Sequence, residues 1–217
     1  QGVPPPAATQ IKAHMDRSHS SLSPSSPVGD AGLTALVVAR LVLGGGFGLA
    51  KKEAREARRE LAPRPAAVLM NFVSQNVVLS SPKVFSTPTP CCPNPVMLLT
   101  LLFASAKKGM GSDDPKFQRS GASLLNSLCT KVTTLPPTGP LPILMRQALT
   151  LAAGALAGAS QRMSGGGGTQ EVRDECYGVV AGLARGRPEV AFEAEVRGGG
   201  CATAALLFGC AAHEAEA

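Results

Sequence analysis

Aromatic residues are scarce in this chain. They make up 4% of it, Trp is absent and Tyr177 is the single tyrosine. Because β-strands favour aromatic and β-branched residues, this scarcity argues against an all-β protein. Alanine and leucine dominate instead, and both favour helix. The 24 glycines and 18 prolines predict frequent breaks between the helices. The composition therefore predicts an all-α fold with many short connections.

Histidine is nearly absent as well, which bears on catalysis. The three histidines are His14, His19 and His213, two near the start of the chain and one near its end. A catalytic Ser or Cys needs a base within hydrogen-bond reach, and this placement disfavours a Ser-His or Cys-His pair in a pocket. A small enzyme is therefore a less favoured alternative, and we expect no catalytic and no cofactor-binding residues.

The cysteines lack the spacing of a metal site. None of them forms C-x-x-C, and a zinc site needs paired ligands at short spacing, so we expect no metal. Four lie in apolar helical patterns, where Cys acts as a small core residue. Cys91 and Cys92 lie between prolines, where a plain loop is favoured over a reactive exposed pair. Scattered free thiols indicate a reducing compartment, the cytoplasm or nucleus. The six positions are Cys91, Cys92, Cys129, Cys176, Cys201 and Cys210.

Long apolar runs are also missing. A membrane span needs about 18 uninterrupted apolar residues, and the closest segment, "PAAVLMNFVSQNVVL", is interrupted by Asn71, Ser74, Gln75 and Asn76. The sequence thus predicts no membrane span. Its first residue is Gln, so it looks like a fragment, and no targeting peptide can be judged from such a start.

Acidic residues are under-represented in the first two thirds of the chain. Residues 1–150 hold 16 basic and 7 acidic side chains, whereas residues 151–217 hold 5 and 8, within a net charge of +6. The densest basic run, residues 51–64, has its three Glu interleaved at helical ion-pair spacing, which predicts a solvated helix. Without interleaved aromatics, a nucleic-acid surface is the weaker interpretation, and we expect no specific nucleic-acid partner.

The segment "LVLGGGFGLAKK", residues 41–52, has the outline of a nucleotide-binding turn but fails letter by letter. The dinucleotide pattern G-x-G-x-x-G finds Leu49 or Lys51 at its third glycine position. The P-loop pattern needs Gly before its Lys and Ser or Thr after it, and here Lys51 lies between Ala50 and Lys52. The segment is therefore interpreted as a loop that follows a helix.

Residues that start or stop helices divide the chain into helical segments. Residues 1–30 are Ser- and Pro-rich and predict a disordered arm. A helix is expected from Asp30, its N-cap, to the glycines that begin at Gly44, with a strand as the alternative because of Val37 and Val38. Asn94 with Pro95, and Asp114 with Pro115, predict two further helix starts; Gly109 is expected to stop the first of these. The Pro-rich stretch 82–95 is expected to be irregular.

Three helices carry one apolar stripe each, at steps of three and four residues. The first lies after Asp114, the second after Pro140, and the third between Thr169 and Gly186, where Pro188 is expected to stop any continuation. A last helix is expected at roughly 201–213. The predicted stripes are Phe117, Gly121, Leu124, Leu125, Leu128 and Val132; Leu141, Leu144, Met145, Ala148, Ala152 and Leu156; and Val172, Cys176, Val179, Val180 and Leu183.

The helices recur in pairs. Equivalent helices start near 114 and 169, and without the Gly-rich insertion at 165–168 the period approaches that of HEAT units. One-sided helices must stack on neighbouring pairs to bury their stripes. We therefore expect a HEAT-repeat-like α-solenoid fragment with a disordered arm at 1–30, a helical segment with long irregular loops at 31–93, and HEAT-like helix pairs at 94–217.

Four segments in this order resemble a known family: "CPNPVMLLTLLFA", "DDPKFQRSGASLLNSLC", "PLPILMRQALTLAAGALAG" and "VRDECYGVVAGLARGRPEVAF". Their order and spacing resemble the middle of the proteasome adaptor and scaffold proteins, which are very large HEAT-repeat proteins. In the last segment, Tyr177, Gly182, Leu183, Arg187 and Pro188 fall where the family tends to place similar residues. The polyglycine at 165–168 and the small residues in the stripes depart from the family pattern.

The resemblance implies a function without catalysis. The family tethers the proteasome core and regulatory particles to each other and to other proteins, and it has no active site, so no catalytic residue is carried over. It implies a cytoplasmic and nuclear scaffold. The alternative from the residues alone is a generic HEAT or armadillo-type adaptor with another client.

Overall fold

In the computed structural model, residues 27–44, 61–80, 82–89, 92–136, 139–161 and 170–197 are described. This part of the chain is helical and contains no strand, only an isolated bridge between Thr89 and Cys92. The predicted all-α fold is thereby confirmed. The α-helices are α1 (Pro27–Leu43), α2 (Pro63–Val73), α3 (Pro95–Met110), α4 (Pro115–Val132), α5 (Leu141–Gln161), α6 (Gln170–Gly186) and α7 (Pro188–Arg197). A π-helical turn, Ser74–Val78, continues α2, and a 3₁₀ turn, Pro82–Phe85, follows.

The α-helices pack in chain order. Each helix contacts the helix that follows it in the chain. The helices α1 to α5 also contact the second helix after them. The odd-numbered helices α1, α3, α5 and α7 thus form one series, and the even-numbered helices α2, α4 and α6 form a second. The buried apolar residues of these helices form one core cluster.

Capping residues set the starts of α3 and α4 as predicted. The side chain of Asn94 accepts a hydrogen bond from the Met97 amide at 3.0 Å. One Asp114 carboxylate oxygen accepts from the Lys116 and Phe117 amides, each at 3.0 Å. These bonds satisfy amides that have no partner inside the helix, and proline occupies the first position in both cases.

The predicted stripes are the buried faces. All six stripe residues of α4 and all six of α5 are buried. On α6, four of the five are buried and Val180 is partly buried against the core. Cys129 and Cys176 are buried as small core residues, as predicted. The period of three and four therefore identified these inward faces correctly.

Several predicted boundaries are wrong. The first helix begins at Pro27, so Asp30 lies inside it and residues 27–30 belong to α1 instead of the arm; the strand alternative is excluded. The basic helix cannot run to residue 64, because residues 61–62 are not helical and α2 begins at Pro63. Gly109 does not stop α3, which continues to Met110 with Gly111 as C-cap. The Pro-rich stretch is not wholly irregular, because it holds the 3₁₀ turn.

Pro188 ends one helix and begins another. It follows α6 as predicted, but α7 starts at that same proline, which the sequence interpretation missed. A proline in the first turn lacks only an amide that has no helical partner, so it starts a helix as readily as it stops one. The predicted helix at 201–213, most of the arm, and residues 51–60 lie outside the described residues.

Two glycines bring α3 and α4 into close contact. A Cβ atom on Gly121 would lie 2.6 Å from the backbone nitrogen of Met110 and 2.8 Å from the carbonyl oxygen of Ala106. A Cβ atom on Gly109 would lie 2.9 Å from the Cα of Gly121. The two backbones therefore approach so closely that only glycine fits at either position.

Polar contacts fix the even-numbered helices against each other. The hydroxyls of Ser74 and Ser127, both buried, share a hydrogen bond of 2.7 Å between the π-helical turn and α4. The Asn126 amide on α4 donates to Glu175 on α6 at 2.7 Å. Arg187 donates to the carbonyl of Leu135 in the α4–α5 connection. These hydrogen bonds are directional. They therefore fix the relative position of the helices, which apolar contacts alone would define less closely.

Candidate functional site

An open groove runs between α3 and α5. The α3–α5 groove is lined from Thr100 to Met110 on α3 and from Ile143 to Ala155 on α5, together with the C-cap Gly111 and Leu125 of α4, and its volume is about 870 Å³. At 1.5 Å per residue, either wall is roughly 17 Å long, about three helical turns. α3 packs closely on α4 through the two glycines, while its contact with α5 is much less extensive. The gap between α3 and α5 is therefore left open.

Apolar side chains form the floor of the groove. Phe103 and Met110 from α3, Leu125 from α4 and Leu144 from α5 all line it and are buried. Ile143 stands at its edge and is 50% exposed. The floor residues are therefore already covered within the chain, and Ile143 is a half-exposed apolar side chain of the lining.

The two threonine hydroxyls of the lining already donate hydrogen bonds within their own helices. Thr100 donates its hydroxyl to the carbonyl of Val96 at 3.0 Å, and Thr150 donates to the carbonyl of Arg146 at 3.0 Å. Both hydroxyl protons are thus used within their own helices, as is common for threonine in a helix. The remaining polar side chains of the lining are Lys107, Arg146 and Gln147.

The charges of the groove have one sign. Among the residues that the structure describes, its lining contains Lys107 and Arg146 and no Asp or Glu. The sequences of α3, α4 and α5 contain no acidic residue at all. Between residues 61 and 170 the only acids are Asp113 and Asp114, against nine basic residues, and Asp114 is engaged in capping α4. The groove is therefore apolar at its floor and basic at its sides.

The described lining of the groove holds two threonine hydroxyls and no side-chain base. Among the described residues it has no carboxylate, imidazole or thiol, so neither hydroxyl has a described base beside it. Across the described residues, no group of His, Cys, Asp and Glu has the arrangement of a metal site. The described lining thus offers apolar side chains together with Lys107, Arg146 and Gln147.

Burial raises the pKa values of the two core thiols, Cys129 and Cys176. Desolvation raises the pKa of Cys129 from its ordinary 9.0 to about 12. Desolvation, with the nearby Glu175 charge as a smaller cause, raises the pKa of Cys176 to about 12. Thiols of this kind stay protonated and inert at neutral pH. Cys92 is buried too, so the exposed reactive pair considered at Cys91 and Cys92 is wrong for Cys92; Cys91 lies outside the described residues.

These thiols predict a loss of stability at alkaline pH. Because their pKa is raised in the folded state, their contribution is complete below pH 9.0 and is lost as pH rises towards about 12. We expect the free energy of unfolding to fall by about 1.4 kcal/mol per thiol between pH 8 and pH 10. Urea denaturation at both pH values measures it. The Cys129→Ala, Cys176→Ala double variant is the control, and an equal fall in that variant would contradict the role of these thiols.

The residues named for the family resemblance lie away from the groove. Leu183 is buried in the core, and Tyr177 packs partly buried against it. Arg187 lies 3.6 Å from Glu189 as well as bonding Leu135, and Pro188 starts α7. A Cβ atom on Gly182 would meet no other heavy atom within 4 Å. Tyr177 and Leu183 therefore serve packing, Arg187 and Pro188 lie where α6 meets α7, and Gly182 has open space beside it. The histidines His14, His19 and His213 lie outside the described residues.

Sequence reasoning missed the groove, although one signal was present. The α5 sequence is apolar beyond its stripe, at Ile143, Leu151 and Ala155. A helix with more apolar positions than one stripe can bury has a second apolar side. That second side lines the groove.

No family model, curated protein or solved structure matches this chain. Among the described helices, none combines the length and the hydropathy that crossing a membrane requires.

Proposed function

We propose that this chain is a segment of a HEAT-type α-solenoid and acts as a non-catalytic scaffold that binds other proteins. The observation that carries the proposal is the order of packing. All the substantial contacts among α1 to α7 join a helix to its neighbour or to its next neighbour but one. In stacked helix pairs each unit touches only the adjacent units, so contacts of this order support the proposal.

The chemistry of the groove also supports binding over catalysis. Solenoids use their extended surfaces to hold partners, and the α3–α5 groove supplies an apolar, basic surface without an acid-base pair. Enzymes need a pocket in which titratable groups converge. A scaffold role requires no functional group beyond those that the described lining contains.

The proposed client is the proteasome. This part of the proposal rests on the four segments that resemble the proteasome adaptor and scaffold proteins, and it places the protein in the cytoplasm and nucleus. In that role, the full-length protein tethers the core and regulatory particles to each other and to other proteins. Its helix stripes are used in stacking, so its loops and outer faces are the surfaces left for partners.

Affinity purification tests the client. We expect the tagged full-length protein, purified from its own cells, to recover core-particle and regulatory-particle subunits at low salt. Recovery should fall at high salt, because salt screens charges at an exposed basic surface. The tag alone, expressed at the same level, is the control. Recovery of no proteasome subunit at either salt concentration would refute the assignment and leave an adaptor for another client as the better proposal.

A further inference from the structure

The Pro-rich stretch between α2 and α3 contains the dipeptide Thr-Pro twice in succession, as Thr87-Pro88 and Thr89-Pro90. We propose that Thr87, and not Thr89, is a phosphorylation site for a proline-directed protein kinase. The inference goes beyond the proposed function and does not rest on it. It is carried by the different environments that the structure gives to two threonines that are each followed by proline.

The hydroxyl of Thr87 is exposed, and it makes no hydrogen bond to any group in the part of the chain that the structure describes. The other exposed Ser and Thr side chains of the described residues all donate to a backbone carbonyl of their own turn or helix, at distances of 2.6 to 3.3 Å. They are Ser80, Ser86, Thr100, Thr130, Thr134 and Thr150. A hydroxyl that already donates must give up its bond before it enters another enzyme's active site. Thr87 has no such bond to give up.

The backbone around Thr87 also suits a kinase substrate. Thr87 lies outside regular secondary structure, and its neighbours Ser86 and Pro88 are exposed as well. Its amide donates to the carbonyl of Lys83 at 3.0 Å, a bond that holds the backbone and leaves the side chain free. A residue before proline is biased towards an extended backbone, the conformation in which kinases hold the residues around their target hydroxyl. Proline has no N–H group, so a kinase that offers no acceptor at the position after the target selects Thr-Pro over other dipeptides.

Thr89 is held by hydrogen bonds that Thr87 lacks. Its hydroxyl accepts from the amide of Cys92 at 3.1 Å. Its own amide donates to the carbonyl of Cys92 at 3.1 Å, and its carbonyl accepts from the Cys92 amide at 3.0 Å. Cys92 is buried, and Thr89 itself is only partly exposed. A kinase would have to open this turn to reach Thr89, so the fold protects the second Thr-Pro dipeptide and leaves the first accessible.

The transfer takes its phosphoryl group from ATP and uses only the hydroxyl of this chain. The Oγ of Thr87 forms a bond to the γ-phosphorus of ATP while the bond from that phosphorus to the β–γ bridging oxygen breaks. ADP leaves, and the hydroxyl proton passes to the catalytic aspartate of the kinase. The product carries about 1.5 to 2 negative charges at pH 7. Because Thr87 is exposed, the phosphate changes the charge of the surface and leaves the core intact.

Phosphate transfer in vitro tests the proposal. The folded full chain and a synthetic peptide of residues 80–95, which serves as the unfolded reference, are incubated with the same mitogen-activated protein kinase and ATP. Mass spectrometry with fragmentation of the peptide backbone measures the initial rate of phosphate transfer to each threonine. We expect the ratio of Thr87 to Thr89 phosphate to be higher in the folded chain than in the peptide by about tenfold or more, because only the folded chain holds Thr89 in its turn.

Single substitutions in the full chain complete the test. Thr87→Ala should remove nearly all phosphate from this stretch, whereas the matched control Thr89→Ala should leave the rate at Thr87 unchanged. Pro88→Ala keeps the target hydroxyl and should lower its rate by about tenfold or more, because the kinase selects the following proline. Circular dichroism of each variant checks that it is folded. The proposal would be overturned by no phosphate on Thr87 of the folded chain, by the same ratio in chain and peptide, or by an unchanged rate in Pro88→Ala.

Discussion

The substitution Leu125→Asp is expected to unfold the protein. Leu125 is 1% exposed, in the middle of the buried face of α4 and at the floor of the groove. Asp removes its packing and puts a carboxylate into an apolar environment without a basic partner, a combination that costs several kcal/mol. Since a typical domain has only about 5–15 kcal/mol of stability, the cooperative transition should disappear. Circular dichroism during heating measures this as a flat, weakened helical signal.

An exposed valine provides the control for that variant. Val68 on α2 is 68% exposed, so Val68→Asp introduces the same charge at the surface, where it should leave the thermal transition nearly unchanged. A Leu125→Asp protein that unfolds cooperatively at the temperature of the unaltered chain would contradict the assignment of this face to the core.

The second large effect is expected at the contact between α3 and α4. In the variant Gly121→Val, the new Cβ would lie 2.6 Å from the Met110 nitrogen and 2.8 Å from the Ala106 carbonyl oxygen. Both are backbone atoms that cannot rotate away, and valine adds two methyl groups beyond its Cβ. We expect the helices to separate, with a loss of at least about 3 kcal/mol in the free energy of unfolding, measured in urea.

Gly182→Val controls for the change of residue type. It makes the same replacement inside a helix, but at a position where the new Cβ meets no other heavy atom within 4 Å. Valine has a somewhat higher helix propensity than glycine, so stability should change by less than about 1 kcal/mol. If both valine variants had the same denaturation midpoint, the close contact at Gly121 would be shown not to limit stability.

Local physics explains which parts of the fold could be predicted from the sequence. A helix start depends on a side chain two or three residues from the amides it satisfies, and Asn94 and Asp114 act in this way. The buried face of α4 follows from a periodicity within that helix alone. Both features are decided within a few residues, so the sequence shows them directly.

The features that were missed depend on a second helix. Gly109 was interpreted as a stop, whereas its role is to face Gly121 across the α3–α4 contact. The groove lies between two helices, so no pattern inside α3 or α5 alone defines it. Only the excess apolar residues of α5, such as Ile143 and Leu151, pointed to an additional apolar surface.

The order in which the helices touch has a consequence for how the chain acquires its structure. Because the helices find their partners within the next two helices, the loops that must close are short and the contact order is low. Chains of this kind fold quickly, and a domain can begin folding from its N-terminal side while the remainder is still being synthesised. The close contact of α3 with α4 can therefore form before the ribosome has completed α6, so apolar surface is covered in the order in which it is made.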